Sequence, residues 1–402
     1  MTDTDAVPGG PRKTLEVLLP WGVLGAAYGI SLTITPFFYN ELGLEEEMIG
    51  KLTGAQGIGV ICAAGLARRL SLRIGPSRAF ASSVFLYALL VTLFGQLTDP
   101  LALALARFGD GVLAVVAVVA VEIALTSNLT DRSERARCLG VMTSVGAVGF
   151  CVGALSAKLF AGWLSFPILF SVAGAIALLS AAIGAIKIAP EVAEQGAVKI
   201  TEAPSGTTSQ RILSRGKHAL FGAFSSGVFH ATWIVLMPLA VMQLTGLPEE
   251  LLLWLAPLHI LGVILLTPWL VRILPGPTGI ALLAMICAMA VLLASSTALV
   301  ALTFALVFLI GGASAALQAR MLTSLLDIAG NSHDATHANT LNASLGAIGK
   351  VVGPILLGML ATHRGPAALL TALAAIWTLC ACAALSAHLR STPSLTPGQS
   401  DG

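Results

Sequence analysis

Five ionisable side chains lie deep inside long apolar stretches of the chain: Arg107, Asp110, His230, His259 and Lys350. A charge near a bilayer centre costs roughly 3 kcal/mol or more on insertion scales, so it normally faces a cavity or a partner. Arg107 and Asp110 are three residues apart, share one helix face and can pair. A carboxylate whose surroundings alternate between an apolar wall and an arginine changes its protonation. Asp110 is therefore the candidate proton carrier, with Arg107 as its modulator or as an anion contact; the alternative is a permanent structural pair. Lys350 can act as an acid–base group or hold a substrate carboxylate; the alternative is a buried ion pair. His230 and His259 can bind protons or ligand, or can be hydrogen-bonded packing residues. Trp233 supplies an aromatic wall or ordinary packing. No nucleophile–base constellation, no GxxxxGK[ST] loop and no CxxC spacing among the six cysteines is present. The chain is expected to be no enzyme, to hold no metal or cofactor, and not to use ATP.

These residues must be carried by membrane-spanning elements. Apolar residues form 56% of the chain and charged residues 10%, and mean hydropathy is +0.89. A soluble domain carries about 25% charge, so the solvent of most of this surface is lipid. A net charge of +2 gives no basis for nucleic-acid binding. A helix needs roughly 20 apolar residues to cross the hydrocarbon. Twelve such spans are predicted, near residues 17–39, 48–70, 77–97, 101–128, 137–162, 166–188, 218–243, 250–274, 277–297, 299–327, 338–362 and 366–388. The runs are too long for barrel strands of ~10 residues. The expectation is an all-α membrane protein: a disordered start (1–16), a six-helix bundle (17–188), a flexible linker rich in Pro, Gly, Ser and Thr (189–217), a second six-helix bundle (218–388) and a disordered tail (389–402).

Of the 22 Lys and Arg residues, 17 fall in segments on the side of the two termini, whereas the opposite loops carry Glu45, Glu46, Glu47, Glu249 and Glu250. This bias predicts cytoplasmic termini in an inner (plasma) membrane. Counting 1.5 Å per residue, Arg107 lies about 9 Å and Asp110 about 14 Å from the outer end of span 4, and Lys350 about 18 Å from the inner end of span 11. His230 is similarly deep in span 7, and His259 lies about 14 Å in from the outer end of span 8. Glu122 sits near the inner edge of span 4, where it could latch as an inside gate onto arginines of the 2–3 loop, Arg73 and Arg78, or of the 4–5 loop, with Arg320 placed similarly on span 10; the alternative is a solvated helix end.

An internal repeat organises these positions. SVGAVGFCVGAL from Ser144 matches SLGAIGKVVGPI from Ser344, which aligns Gly146, Gly149 and Gly153 with Gly346, Gly349 and Gly353. Gly111 matches Gly311 at the same offset of 200; Gly25, Tyr28 and Pro36 match Gly227, His230 and Pro238 at 202; Gln56 and Gly59 match His259 and Gly262 at 203. Glycines three and four apart let helices approach closely. Parallel six-helix repeats place a substrate site near the midplane between them. Lys350 replaces Phe150 inside the matching glycine ladder, and Tyr28 with Gln56 on one side and His230 with His259 on the other form a polar ring around a shared cavity.

Three motifs carry a resemblance to the major facilitator superfamily. GLARRLSLRIGPSR (65–78) looks like that family's loop between its second and third helices, with Arg73, Gly75 and Arg78 in place and Leu72 where an Asp is usual. Arg107-x-x-x-Gly111 resembles the fourth-helix pattern of proton-coupled members. The glycine ladder of the fifth span resembles the exporter motif without its Gly-Pro pair, which Gly353-Pro354 supplies in the eleventh. The resemblance implies a secondary active transporter, functional as a monomer in the lipid bilayer, that uses protons to move a small organic molecule. Arg107, Asp110 and Lys350 together give a cavity charge of +1, which favours an anionic or zwitterionic substrate. Efflux is the expected direction. The alternatives are an uptake permease for a metabolite or metal chelate, and a non-transporting sensor or assembly factor.

Overall fold

The computed structural model describes residues 11–126, 132–188, 214, 216–296, 300–329 and 332–391. Most of the expected linker, the first ten residues and the last eleven lie outside the described residues. Among the described residues, twelve helices are long and apolar enough to cross a membrane. They are α1 (Pro11–Glu41), α2 (Glu46–Ile74), α3 (Pro76–Phe94), α4 (Pro100–Thr126), α5 (Arg132–Phe160), α6 (Phe166–Lys187), α7 (Lys217–Thr245), α8 (Leu255–Ile273), α9 (Gly276–Ser296), α10 (Val300–Ala329), α11 (Ser332–Arg364) and α12 (Pro366–Ser391). One helical turn, Glu249–Leu252, leads into α8. Several helices outrun the expected spans; α1 begins at Pro11 and α12 reaches Ser391. Hydropathy marks the hydrocarbon-crossing part of a helix, and backbone bonding continues into the polar headgroup region.

Local chemistry sets the breaks. Gly75 and Gly276, at φ +88° and +68°, turn α2 into α3 and α8 into α9. Only glycine adopts that left-handed backbone without cost, and each is followed by a proline, Pro76 or Pro277, suited to a helix start.

The two halves repeat one packing scheme. In the first, α1 packs on α5 and α6, α2 on α4, and α3 on α4 and α6. In the second, α7 packs on α11 and α12, α8 on α10, and α9 on α10 and α12. The aligned glycines make equivalent contacts. A Cβ at Gly25 would meet the Gly146 carbonyl, and one at Gly227 the Gly346 carbonyl. Gly59 faces the Phe108 carbonyl as Gly262 faces that of Phe308, and Gly111 faces the Gln56 carbonyl as Gly311 faces that of His259. The sequence repeat is thus a repeat of helix crossings.

Between the halves, α2 packs on α11, α5 on α8, and α1 and α2 on α7. The contacts gather at the face bearing the α1–α2 and α11–α12 junctions, here the distal face. A Cβ at Gly50 would strike the Pro354 carbonyl, and Gly358 abuts the backbone of Glu46. The Glu47 amide donates to Thr362 Oγ1 at 2.9 Å, and Thr362 donates to Glu46 at 3.5 Å. Gln243 donates to Glu46, and His363 lies 3.7 Å from Glu47. Lys158 of α5 stands 6.0 Å over the Trp254 ring at the start of α8. Toward the opposite, terminal face, Gly65 and Gly140 have open space where a side chain would be, and Ser144, Ser344 and Lys350 are exposed. The side-chain contacts that join the halves among the described residues thus lie at the distal face.

Candidate functional site

The polar residues expected around one cavity divide into two groups. The first joins α1, α2 and α4 inside the amino-terminal half. Arg107 Nη1 donates to Asp110 Oδ2 at 2.8 Å, and both side chains are buried, 5% and 9% exposed. Tyr28 donates from its hydroxyl to Asp110 Oδ1 at 3.1 Å. Gln56 bridges the pair: its Nε2 donates to Asp110 Oδ2 at 2.8 Å, and its Oε1 accepts from Arg107 Nη2 at 2.9 Å. The carboxylate therefore accepts three hydrogen bonds from three helices. Tyr28 stacks on Tyr87 with ring centroids 4.4 Å apart.

The second group lies in the carboxy-terminal half and reaches the interface. A cavity of about 550 Å³ is lined by His230, Trp233, Ile234 and Met237 of α7, by Leu255, His259 and Ile260 of α8, and by Phe150 from α5 of the other half. An apolar lining with a few placed polar groups is the usual form of small-molecule sites. His230 Nδ1 is 2.8 Å from the Ser226 carbonyl, which can only accept, so Nδ1 carries a proton and Nε2 is left for other partners. His259 is 5% exposed, and its Nδ1 is buried without a hydrogen-bond partner. Trp233 lies 5.1 Å from the His259 ring and stacks at 5.1 Å on Phe229.

Lys350 stands beside this cavity. Its repeat-equivalent Phe150 lines the cavity, and Lys350 is exposed although it lies about 21 Å along α11 from Arg364 at 1.5 Å per residue. An exposed ammonium at that depth faces the aqueous gap between the halves rather than lipid. The repeat-equivalent residues Phe150 and Lys350 thus meet the same central space from opposite halves. The counterparts of Arg107 and Asp110 in the second half are Val307 and Ile310, both fully buried. The ion pair exists in the first half alone, and the imidazoles stand where its Tyr28 and Gln56 partners would be.

The expected inside gate is not assembled. Glu122 is half-buried and Arg73 and Arg78 are exposed; among the described residues none of the three is ion-paired. Arg320 lines a separate polar pocket of about 340 Å³ with Ser324 and Asp327 at the terminal end of α10. The latch that is closed uses Glu46, Glu47, Gln243, Thr362 and His363 instead. Its signal in the sequence is the acidic run 45–47 in a chain with few charges, and sequence alone gives that run no partner.

Among the described residues, no group of three or more His, Cys, Asp or Glu side chains could hold a metal ion.

Comparison with known proteins agrees with this architecture. The chain is 27% identical over 173 residues to Multidrug resistance protein 2 of Bacillus subtilis (strain 168), and that alignment spans 42% of each protein. The nucleoside transporter NupG has a similar structure, with a TM-score of 0.72 at 14% identity over 94% of this chain and 99% of that one. So has a bacterial homologue of the human lysosomal transporter Spinster in an inward-facing, occupied conformation, at 0.74, 15% identity and 95% and 97% coverage. The human organic anion transporter MFSD10 matches at 0.62, with 15% identity over 93% and 99%. At these identities the structural matches establish the fold alone. The family model of the Major Facilitator Superfamily matches residues 21–354, and with its twelve spanning helices in two repeated bundles the chain is a membrane transporter that belongs to that superfamily.

Proposed function

We propose that this transporter is proton-coupled and exports a small organic anion with an apolar or aromatic body. The observation that carries the reading is the separation of charges. Arg107 and Asp110 neutralise each other inside the first half. That leaves Lys350 as the exposed cation beside an apolar cavity that also offers His230 and His259. A carboxylate or similar anion held near Lys350 and His230 sets its apolar body against Trp233, Met237 and Phe150. Alternating access follows from rocking of the halves about the α2–α11 and α5–α8 crossings, with the distal latch opening as the terminal face closes. Asp110 is the proton carrier in this scheme, because its three hydrogen bonds come from three helices and register their relative movement. The positive-inside bias supports cytoplasmic termini in an inner membrane, so the terminal face opens to the cytoplasm. Efflux draws support from the fourth-helix pattern and from the local likeness to a protein named for multidrug resistance.

The test is anion-driven proton flux in proteoliposomes carrying a pH dye. A panel of aromatic and aliphatic carboxylates is compared with matched amides and amines. Flux is expected for carboxylates alone, and is expected to be lost in Lys350→Ala and Asp110→Asn at normal expression. Equal flux with amines, or full activity in both variants, overturns the reading.

A further inference from the structure

We propose that Asp110 takes up its proton from the distal side, through the interior of the amino-terminal bundle and apart from the central cavity. This inference rests on the reading of Asp110 as the proton carrier. A second chamber, of about 280 Å³, touches Asp110 and is lined by Ser31, Thr35, Tyr87, Val91, Ala106 and Arg107, among others. Every lining helix belongs to the first half: α1, α3, α4 and α6. Lys350 is on α11 of the other half, and the histidine cavity lies at the interface, with Phe150 its one lining residue from the first half.

The chamber has a direction. On α1, Ser31 and Thr35 follow Tyr28 toward the distal end. On α3, Val91 and Phe94 follow Tyr87 the same way. On α4, Ala106 and Arg107 precede Asp110 from the distal start at Pro100. The chamber therefore runs from the carboxylate toward the distal face. It ends on a plug of Phe38, Phe94 and Phe170, with ring centroids 5.2–5.9 Å apart.

Its polar groups line the path without bonding into one chain, so ordered water must carry the proton between them. Thr35 Oγ1 donates to the Ser31 carbonyl at 2.7 Å, Ser31 Oγ lies 3.0 Å from the Tyr87 hydroxyl, and Tyr28, stacked on Tyr87, donates to Asp110. Two buried donors beside it have no protein partner, Arg107 Nε and the Tyr39 hydroxyl, and Tyr39 is close enough to feel the Arg107 charge. Buried donors of this kind are normally satisfied by ordered water, and the chamber has room and partners for one. A hydronium there gives its proton to an Asp110 oxygen, leaving a neutral acid and a water. The charged and titratable groups facing that carboxylate are Arg107 of α4, Tyr28 and Tyr39 of α1, and Tyr87 of α3; α2 contributes the neutral Gln56. With the substrate gap parted toward the opposite face, proton and substrate approach the protein from different sides.

The test follows proton uptake at Asp110 by infrared spectroscopy after a pH jump, on full-length protein in liposomes, with Asp110→Asn identifying the carboxyl band. Ala106→Leu fills the chamber, and Thr35→Val removes a hydroxyl while keeping its shape. Phe150→Cys coupled to a bulky maleimide plugs the central cavity. Uptake is expected to slow by about tenfold in both chamber variants and to stay unchanged with the central cavity plugged. Uptake stopped by the maleimide and unaltered in Thr35→Val overturns the route. Should Ala106→Leu fail to fold, Thr35→Val decides alone. A pH-insensitive carboxyl region that is identical in Asp110→Asn instead removes Asp110 as the carrier, a failure of the underlying reading and distinct from a wrong route.

Discussion

Neutralising Asp110 should destabilise the protein by an amount that removing Arg107 as well restores. In Asp110→Asn the Arg107 guanidinium stays 4% exposed but loses the carboxylate 2.8 Å away. The Asn amide keeps one acceptor oxygen, so the donors of Arg107, Gln56 and Tyr28 are no longer all satisfied. Breaking a buried ion pair by removing one partner costs about 3–5 kcal/mol, whereas replacing both partners is close to neutral. Each of Asp110→Asn and Arg107→Gln should therefore cost about 3–5 kcal/mol, and the double variant far less, a coupling of roughly 3 kcal/mol or more. Unfolding titrations in mixed micelles read this cycle, and proton-driven transport is measured on the same four proteins. Stability should return in the double variant and coupled transport should not. Single variants within about 1 kcal/mol of the parent would mean that the pair is no buried ionic unit. A double variant with restored coupling would refute Asp110 as the carrier. The magnitude also bears on mechanism. A charge crossing 150 mV supplies about 3.5 kcal/mol, the same size as the cost of neutralising Asp110 in this conformation. One proton is therefore enough to make the present packing unfavourable and favour the alternative one.

Other perturbations have equally definite outcomes. Gly50→Leu should wedge α2 from α11, because a Cβ there already strikes the Pro354 carbonyl; maleimide labelling of a cysteine placed at Gln243 should rise from the distal side, and unchanged labelling would count against a latch. Thr362→Val removes two latch hydrogen bonds that contribute about 0.5–1.5 kcal/mol each, so the same labelling should increase by roughly five- to a hundredfold. Cys62 and Cys382 are exposed while Cys151, Cys287 and Cys380 are buried. A water-soluble maleimide should therefore label Cys151, Cys287 and Cys380 only on unfolding, as read by peptide mass spectrometry, and labelling of any of the three in the folded protein would count against this packing.

The sequence carried the scaffold well and the site unevenly. Twelve crossings follow from hydropathy, since lipid admits few other backbone solutions. The repeat follows from glycines that no other residue could replace at crossings where a Cβ would meet a facing carbonyl, such as Gly59 on Phe108. Arg107 and Asp110 pair as their spacing requires. What hydropathy cannot supply is rotation about each helix axis. Depth put Tyr28, Gln56, His230 and His259 at similar heights, which reads as one ring. Rotation turns the first two onto Asp110 inside the first half and the other two onto a cavity at the interface. The terminal gate was out of reach for the same reason: Glu122, Arg73 and Arg78 belong to one half, and depth along a helix does not say which way each side chain turns.

Consecutive residues on α2 connect the two sites. Gln56 holds Arg107 and Asp110 together. Its neighbour Gly57 is pressed against α11, where a Cβ would lie 3.1 Å from the Lys350 carbonyl carbon and from the Val351 nitrogen, and 2.8 Å from Val351 Cγ2. Any change in Asp110 that reorients Gln56 must pass through this crossing, and the crossing has no slack to absorb it. Gln56→Leu should cut that link: Lys350 and the histidine cavity stay intact, so carboxylate binding to purified protein persists, while its dependence on pH disappears. Gly57→Ala should push α11 away from α2 and alter anion affinity without touching the ion pair. Loss of binding in Gln56→Leu, or wild-type pH dependence in it, would show that proton and anion communicate by some route other than the α2–α11 contact.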